Sequence, residues 1–404
     1  PMDRKMAIKT IYDNYFLESH INSIINFYHP ICIDKERGGY INQLNDDGKI
    51  RDRDTKHLVG TCRFIYNYAV AAILFKKKEY IESCNHGINY LLNYHRQPNR
   101  GFAWVIDNNG VKDATLHCYG HAFVLLAVSI SNKINSNRSI HLVYEIYDFL
   151  EELFWDKENE LYVDEIFSTD LEIISSYRGQ NANMHMCEAM LLAFEITKDI
   201  KFFDRAYLIA DRICNDLTLE TNGYIWEHYN ENWEIDWSYN INDKKNLFRP
   251  YGFLSGHFAE WSKLLLKIKN IDNKKWLQEK AVYLFDSAIR ISWDNKLDGI
   301  FYSFDKNGRI VDKDRYYWVL AEMIAASAFL AKCTENEKYW KWYNIFWQYS
   351  LDYFIDKKNG GWYRVLNYKN EKYDNYKSPP AKTDYHPLSA CYEILNEIHW
   401  DKIA

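Results

Sequence analysis

One phrase recurs six times along this 404-residue chain: a Gly or its near-equivalent, an aromatic-rich extended stretch, a polar turn, then a helix-like run. It reads Gly38-Gly39-Tyr40, Gly101-Phe102-Ala103-Trp104, the degenerate Glu160-Leu161-Tyr162, Gly223-Tyr224-Ile225-Trp226, Gly299-Ile300-Phe301-Tyr302 and Gly360-Gly361-Trp362-Tyr363. The copies lie roughly sixty residues apart, once roughly seventy-five, so each holds a hairpin and two helices. Units of that kind bury their faces only against neighbours. Six of them can close into a ring.

Between successive hairpins the two helical stretches differ in character. The first of each pair is poor in charge and apolar nearly all round: 57–76, 117–132, 181–197, 251–269, 317–332 and 384–398. The second is amphipathic: 79–95, 139–154, 201–217, 274–292 and 337–355, with the opening run 7–28 as the sixth. A helix apolar on every side must be buried on every side, whereas an amphipathic one faces water. Two concentric layers follow, an all-α (α/α)6 barrel or toroid of twelve helices with short β-hairpins at one end. No Pro-, Gly- or Ser-rich linker interrupts the repeat, so 1–404 is read as a single catalytic domain.

Composition narrows the function classes. A net charge of -6, from 50 basic and 56 acidic residues with no basic stripe, argues against a nucleic-acid partner. No apolar run is read as reaching the eighteen or so residues of a membrane span, and the N-terminus lacks a charged segment followed by an apolar one. The eight cysteines form no C-x-x-C pair and several sit in helical runs, as buried free thiols do, which suits a reducing cytoplasm. The glycosylation triplet Asn137-Arg138-Ser139 is given no weight on that reading. The 14 Trp and 33 Tyr, concentrated around the hairpins, suit a wall that is part core and part wet, as carbohydrate pockets are.

Every hairpin leads into the start of an inner helix, so polar residues early in those helices must crowd around one opening. They are Arg63, His117, Tyr119, His121, Asn181, His185, His257, Glu260, Trp318, Glu322, Asp384 and His386. Burying that many unpaired ionisable groups near an apolar axis would cost several kcal/mol in order of magnitude.

Asn181 and His185, four apart, share a helix face and can fix a sugar hydroxyl and exchange a proton with a ring oxygen; a core His with an Asn cap is the structural alternative. His257 and Glu260, three apart, allow a carboxylate to orient the imidazole or to bind substrate beside it; metal ligation is the rival, although the two-His motif of a zinc helix is absent. Asp384-x-His386 alone reads as a helix cap with a surface His, but ring closure brings His386 near Arg63 and opposite His185 and His257. In the second repeat, His117, Tyr119 and His121 read as supporting residues. Trp318 and Glu322 offer a stacking platform and a hydroxyl acceptor, or a core pair. Imidazoles on either side of a pocket suit proton transfer at carbon, and Arg63 is the cation to hold an enediolate. No Gly-rich phosphate loop, dinucleotide fingerprint or nucleophile elbow is present.

Tyr177-Arg178-Gly179-Gln180-Asn181-Ala182-Asn183-Met184-His185, Gly256-His257-Phe258-Ala259-Glu260-Trp261, Trp318-Val319-Leu320-Ala321-Glu322 and Lys382-Thr383-Asp384-Tyr385-His386 together resemble the N-acylglucosamine 2-epimerase superfamily, especially its mannose isomerase and mannose 2-epimerase branches. The resemblance spans nearly the whole chain. It implies an (α/α)6 barrel with no metal and no cofactor, acting on an open-chain aldose through a cis-enediol. Carried over position by position, it makes His257 and His386 the general acid/base pair at C1 and C2 and His185 the residue aiding ring opening, with Asn181 beside it. It puts Arg63 at the enediolate oxygen, Glu260 behind the catalytic His, and Trp318 and Glu322 on the pocket wall. Two departures stand at the pocket: Ser378-Pro379-Pro380-Ala381 replaces the Trp and Gly of several relatives, and Tyr317 stands where some isomerases have a His.

The expected activity is isomerisation or C2 epimerisation of a free aldohexose, D-mannose foremost, giving fructose or glucose. The expected catalytic residues are His257, His386 and His185; Arg63, Tyr119, Asn181, Glu260, Trp318, Glu322 and Asp384 would bind substrate. The expected partner is a monosaccharide, with neither nucleic acid nor membrane, and the oligomeric state stays open. Two alternatives remain: a glycoside hydrolase or lyase using paired carboxylates such as Asp236 and Glu260, and a carbohydrate-binding ring without turnover.

Overall fold

A computed structural model of the chain describes residues 11–134 and 140–400. Residues 7–10 of the opening run and the triplet 137–139 lie outside the described residues. Among those described, twelve α-helices alternate between two layers. The inner ones are α2 (Leu58–Phe75), α4 (Cys118–Ser131), α6 (Gln180–Thr197), α8 (Ser255–Ile271), α10 (Tyr317–Thr334) and α12 (Tyr385–Glu397). The outer ones are α1 (Asn14–Tyr28), α3 (Lys78–Tyr90), α5 (Ile140–Leu153), α7 (Ile200–Cys214), α9 (Lys275–Ser292) and α11 (Glu337–Tyr349).

Each inner helix packs on the next, and α12 returns to α2, which closes an (α/α)6 barrel. Each outer helix packs behind the inner helix that precedes it, and α1 packs on α12, so the two ends of the chain together make the sixth unit. The apolar character of the inner stretches follows: along α10 every residue from Val319 to Ala331 is buried. By contrast α7 buries Phe202, Phe203, Ala206, Ile209, Ala210 and Ile213 and exposes Asp204, with Lys201 and Arg205 half-buried at its flanks, a one-sided pattern at helical spacing.

The membrane-span expectation is corrected here. α2 is long and apolar enough to cross a bilayer, but it is an inner wall of the ring, with 83% of its length buried inside the protein. A helix surrounded by other helices needs the same apolarity as one surrounded by lipid.

The glycine phrases are tight turns that fold the chain back on the end of each outer helix, as in the bridges Ile33 to Tyr40, Trp293 to Ile300 and Ile355 to Trp362. Glu160 shows why the third copy tolerates the loss of glycine: it takes the left-handed φ of 56° itself. The hairpins that follow do not stay within their repeats. The strand entering α2 pairs with the hairpin at Val105, that entering α4 with Glu165, α6 with His228, α8 with Ser303 and α10 with Val365. The last segment, at Ser378, bridges to Leu44 of the first hairpin and closes the circle.

Within three repeats a buried cation ties the segment entering the inner helix back to the glycine turn. Lys56 meets Asp34 at 2.7 Å, Lys377 meets Asp356 at 2.7 Å, and Arg315 pairs with Asp294. In each turn the other carboxylate oxygen accepts backbone N–H groups two and three residues on, so both the charge and the turn are satisfied.

Candidate active site

The inter-repeat ladders set the side chains of the central opening. In five copies the first N–H of an inner helix donates to the same carbonyl of the next repeat: Leu58 to Trp104, Cys118 to Asp164, Gln180 to Glu227, Ser255 to Tyr302 and Tyr317 to Arg364. Each acceptor residue is thereby pinned at the hairpin end of the barrel, beside the first turn of the preceding inner helix.

A cleft with a cavity volume of about 110 Å3 opens at that end. Arg63, Tyr119, Asn181, His185, His257, Glu260, Trp318 and His386 all line it. The histidines from α6, α8 and α12 are brought together as the sequence suggested. The indole of Trp318 spans two of them, its ring centre 5.1 Å from that of His257 and 5.7 Å from that of His386. It fits only because residue 256 is glycine: a Cβ there would stand 2.4 Å from the indole.

His257 and His386 are held in the same way. Nδ1 of His257 lies 2.7 Å from Glu227 Oε1, and Nδ1 of His386 lies 2.8 Å from Glu322 Oε1. With Nδ1 turned to a carboxylate oxygen in each case, Nε2 is the nitrogen left for the cavity. Glu227 is fixed in turn by Gln180 Nε2 at 3.0 Å from both oxygens, and Gln180 Oε1 accepts from Trp261 Nε1 at 2.7 Å. Glu322 Oε2 accepts from Lys263 Nζ at 2.8 Å. Burial, with Arg63 and His185 nearby, pushes the His386 pKa well below the usual imidazole range, so the ring is neutral.

Arg63 is planted by Nη1 on the Ala381 carbonyl at 2.8 Å, while Nη2 reaches Tyr119 Oη at 3.1 Å and His386 Nε2 at 3.5 Å. Its Nε is buried without a partner, as is Asn181 Oδ1. His185 sits 3.6 Å from Glu188 and 4.0 Å from Glu260, beyond hydrogen-bond reach of either.

Three expectations are corrected. Glu260 does not stand behind His257: neighbours at i and i+3 on α8 project side by side toward the axis, and Glu227 from the fourth hairpin takes the supporting place. Both Glu260 oxygens are buried without hydrogen-bond partners. Burial, reinforced by Glu322 and Glu188, raises its pKa well above the carboxylate range, which makes it a neutral acid on the cavity wall. Glu322 lies behind His386 rather than on the pocket surface. Asp384 faces away from the cleft; its carboxylate accepts from Trp362 N at 2.9 Å and pairs with Lys382.

The carboxylate pair of the hydrolase alternative is not assembled. Asp236 is held in its loop by Ser238, and only Glu260 of the two reaches the cleft. Two triplets, His185/Glu188/Glu260 and Glu260/Glu322/His386, have potential ligand atoms within 4.8 Å of one another. Lys263 already supplies the positive charge beside the second, and its ammonium occupies one oxygen of Glu322.

Sequence reading missed Glu227, Gln180 and Lys263, together with Phe248, Tyr302 and Arg364 on the cleft wall. A signal for Glu227, Tyr302 and Arg364 was present in the repeat, since all three hold the pinned position three or four residues after a glycine of the phrase. His121 is confirmed as support: it is fully buried, its Nδ1 2.7 Å from the His117 carbonyl and its Nε2 accepting from Phe102 N.

A family profile described as N-acylglucosamine 2-epimerase (GlcNAc 2-epimerase) matches residues 39–390. A protein of Marinomonas mediterranea named D-mannose isomerase is 45% identical over 384 residues, covering 95% of this chain and 97% of its own. A crystal structure of D-mannose isomerase superposes with a TM-score of 0.94 at 45% identity, covering 96% of this chain and 99% of that one. The structure of cellobiose 2-epimerase from Bacillus thermoamylovorans superposes at 0.84 with 21% identity over 96% of this chain and all of its own, and shares the fold.

Proposed function

The chain belongs to the N-acylglucosamine 2-epimerase family, and from that membership we propose that it is a sugar isomerase or epimerase whose substrate is D-mannose in its open-chain form. The pairing of two carboxylate-backed imidazoles in one cleft carries this reading. We read the chain as one catalytic domain. Its eight unpaired cysteines suit the reducing cytoplasm in which we place it.

Ring opening comes first. His185 and Asn181 face the cleft together, and neutral Glu260 has a proton to donate to a sugar oxygen. His386 then takes the hydrogen from C2 through Nε2. The C2–H electrons form the C1=C2 bond, and the aldehyde oxygen becomes the enediolate oxygen. Arg63 and the Tyr119 hydroxyl, already within reach of Nε2, are the donors for that charge. His257, backed by Glu227, exchanges the second proton. Return to C1, with the O2 proton passing to the enediolate O1, gives fructose; return to C2 from the opposite face, with the C1 aldehyde re-forming, gives glucose. Neither route changes the oxidation level of the molecule as a whole, so no external electron acceptor enters.

Incubation with D-mannose in deuterated water tests the reading. Formation of fructose or glucose carrying deuterium at C1 or C2 is expected, and His257→Asn and His386→Asn should each abolish label uptake in folded protein. Turnover without label, or full activity in either variant, would overturn it.

A further inference from the structure

His386, Ser389 and Glu393 lie along one face of α12, and Lys263 and Lys267 along one face of α8. They form a continuous chain down the barrel axis. His386 Nδ1 meets Glu322 at 2.8 Å, Glu322 meets Lys263 Nζ at 2.8 Å, Lys263 meets Glu393 at 3.0 Å, and Glu393 meets Lys267 at 2.9 Å. Lys263 does not line the cleft and is 1% exposed, so it does not bind sugar. A lysine so deep in an apolar ring is costly unless its charge is used.

We infer that Lys263 is a positioning residue: its ammonium holds Glu322 ionised, and ionised Glu322 fixes His386 with hydrogen on Nδ1 and the lone pair on Nε2. The alternative state shows why this matters. A protonated Glu322 would donate to Nδ1, and the imidazole proton would have to reside on Nε2. The base would then face the cavity with no lone pair. That state is within reach, because Glu322 faces Glu393 from α12 and Glu188 from α6 and lies beside neutral Glu260 from α8, and burial together with Glu393 and Glu188 raises its pKa against the opposing pull of Lys263. His185 from α6 and Arg63 from α2 bear on His386 itself and keep it neutral. Lys263 is the cation that contacts Glu322 directly.

The kinetic part of this inference rests on the proposed isomerase or epimerase activity, but the tautomer does not. In full-length protein with 15N-labelled histidine, His386 identified by its loss in His386→Asn should show a pyridine-like Nε2. In Lys263→Met, Nε2 should become pyrrole-like at neutral pH. With mannose, the acid limb of kcat/KM should move to higher pH in Lys263→Met, with KM within a few-fold and rate recovering as pH rises. Glu393→Gln, which keeps the ammonium and removes a repelling carboxylate, should move that limb to lower pH. Opposite shifts are not expected from loosened packing. An unchanged tautomer in folded Lys263→Met, a rate loss equal at every pH, or an unmoved or upward limb in Glu393→Gln would overturn the inference. Should Lys263→Met fail to fold, Glu393→Gln alone decides it. Failure of the wild-type protein to turn over mannose would sink the proposed function and leave the spectra to judge Lys263.

Discussion

Glu227 Oε1 stands 2.7 Å from His257 Nδ1, two groups 30 residues apart that meet because the fourth hairpin is stitched to the start of α6 while its own repeat supplies α8. A carboxylate in this position selects the tautomer and stabilises the imidazolium formed when the ring takes a proton. Glu227→Gln keeps the shape and loses the charge. We expect kcat to fall by about 10²–10⁴ with KM for mannose changed little, read by steady-state kinetics and by deuterium uptake. A variant with wild-type kcat would show that His257 needs no charged support.

Gly256→Ala tests how the indole is seated. The new methyl would meet Trp318 at 2.4 Å, and the ring must move away from His257 and His386. Overpacking of this kind costs about 1–3 kcal/mol of stability. Displacement of a cleft wall by an ångström can lower kcat/KM by roughly a hundredfold. Thermal melts and kinetics on the same sample separate the two effects; a large loss of stability with unchanged kcat/KM would assign Trp318 to packing alone.

Acid sensitivity follows from three buried histidines remote from the cleft wall. Burial lowers the pKa of His20, His95 and His121 to about 4, and each accepts a hydrogen bond that a protonated ring could not: from Trp362 Nε1, Thr61 Oγ1 and Phe102 N. In the unfolded chain they protonate near 6.5. Between those values the unfolded state binds more protons, so stability is complete above about pH 6.5 and is lost as pH falls toward 4, by roughly 3 kcal/mol for each histidine. Tm should drop steeply from pH 7 to pH 5 with proton uptake on unfolding. A flat profile would contradict the buried neutral assignment.

Lys377 and Asp356 provide a test of how the glycine turn is anchored within its repeat. The pair is buried at 2.7 Å, and despite burial the Asp356 pKa is drawn down to about 2 by Lys377 and the turn amides. Lys377→Met leaves a buried carboxylate unpaired and should cost about 3–5 kcal/mol. Adding Asp356→Asn should recover part of that loss. Additive losses in the double variant would mean that the two side chains stabilise the turn independently.

The two layers were readable before any coordinates, because burial on all sides and burial on one side leave different composition patterns along a helix. Boundaries followed to within a few residues for α2, α4, α6, α9 and α10. α8 was harder: Tyr251 to Leu254 are apolar like the helix that follows, yet Phe253 and Leu254 form the strand that pairs with Ser303 and Phe304. Extended and helical backbone bury such residues equally well, so hydrophobicity alone does not separate them.

The sequence by itself determined the ring and the crowding of polar residues, His185, His257 and His386 among them, at its hairpin end, since period and position in a repeat are local properties. Only the tertiary structure decided which carboxylate serves which histidine. Glu260, near in sequence, was displaced by Glu227; Glu322 moved from the wall to the back of His386; and Asp384 turned outward to Lys382 and Trp362. The physical reason is that residues three or four apart on one helix lie beside each other, whereas a group that supports another from behind must come from a neighbouring repeat. Which repeat supplies it depends on the closure and register of the whole ring.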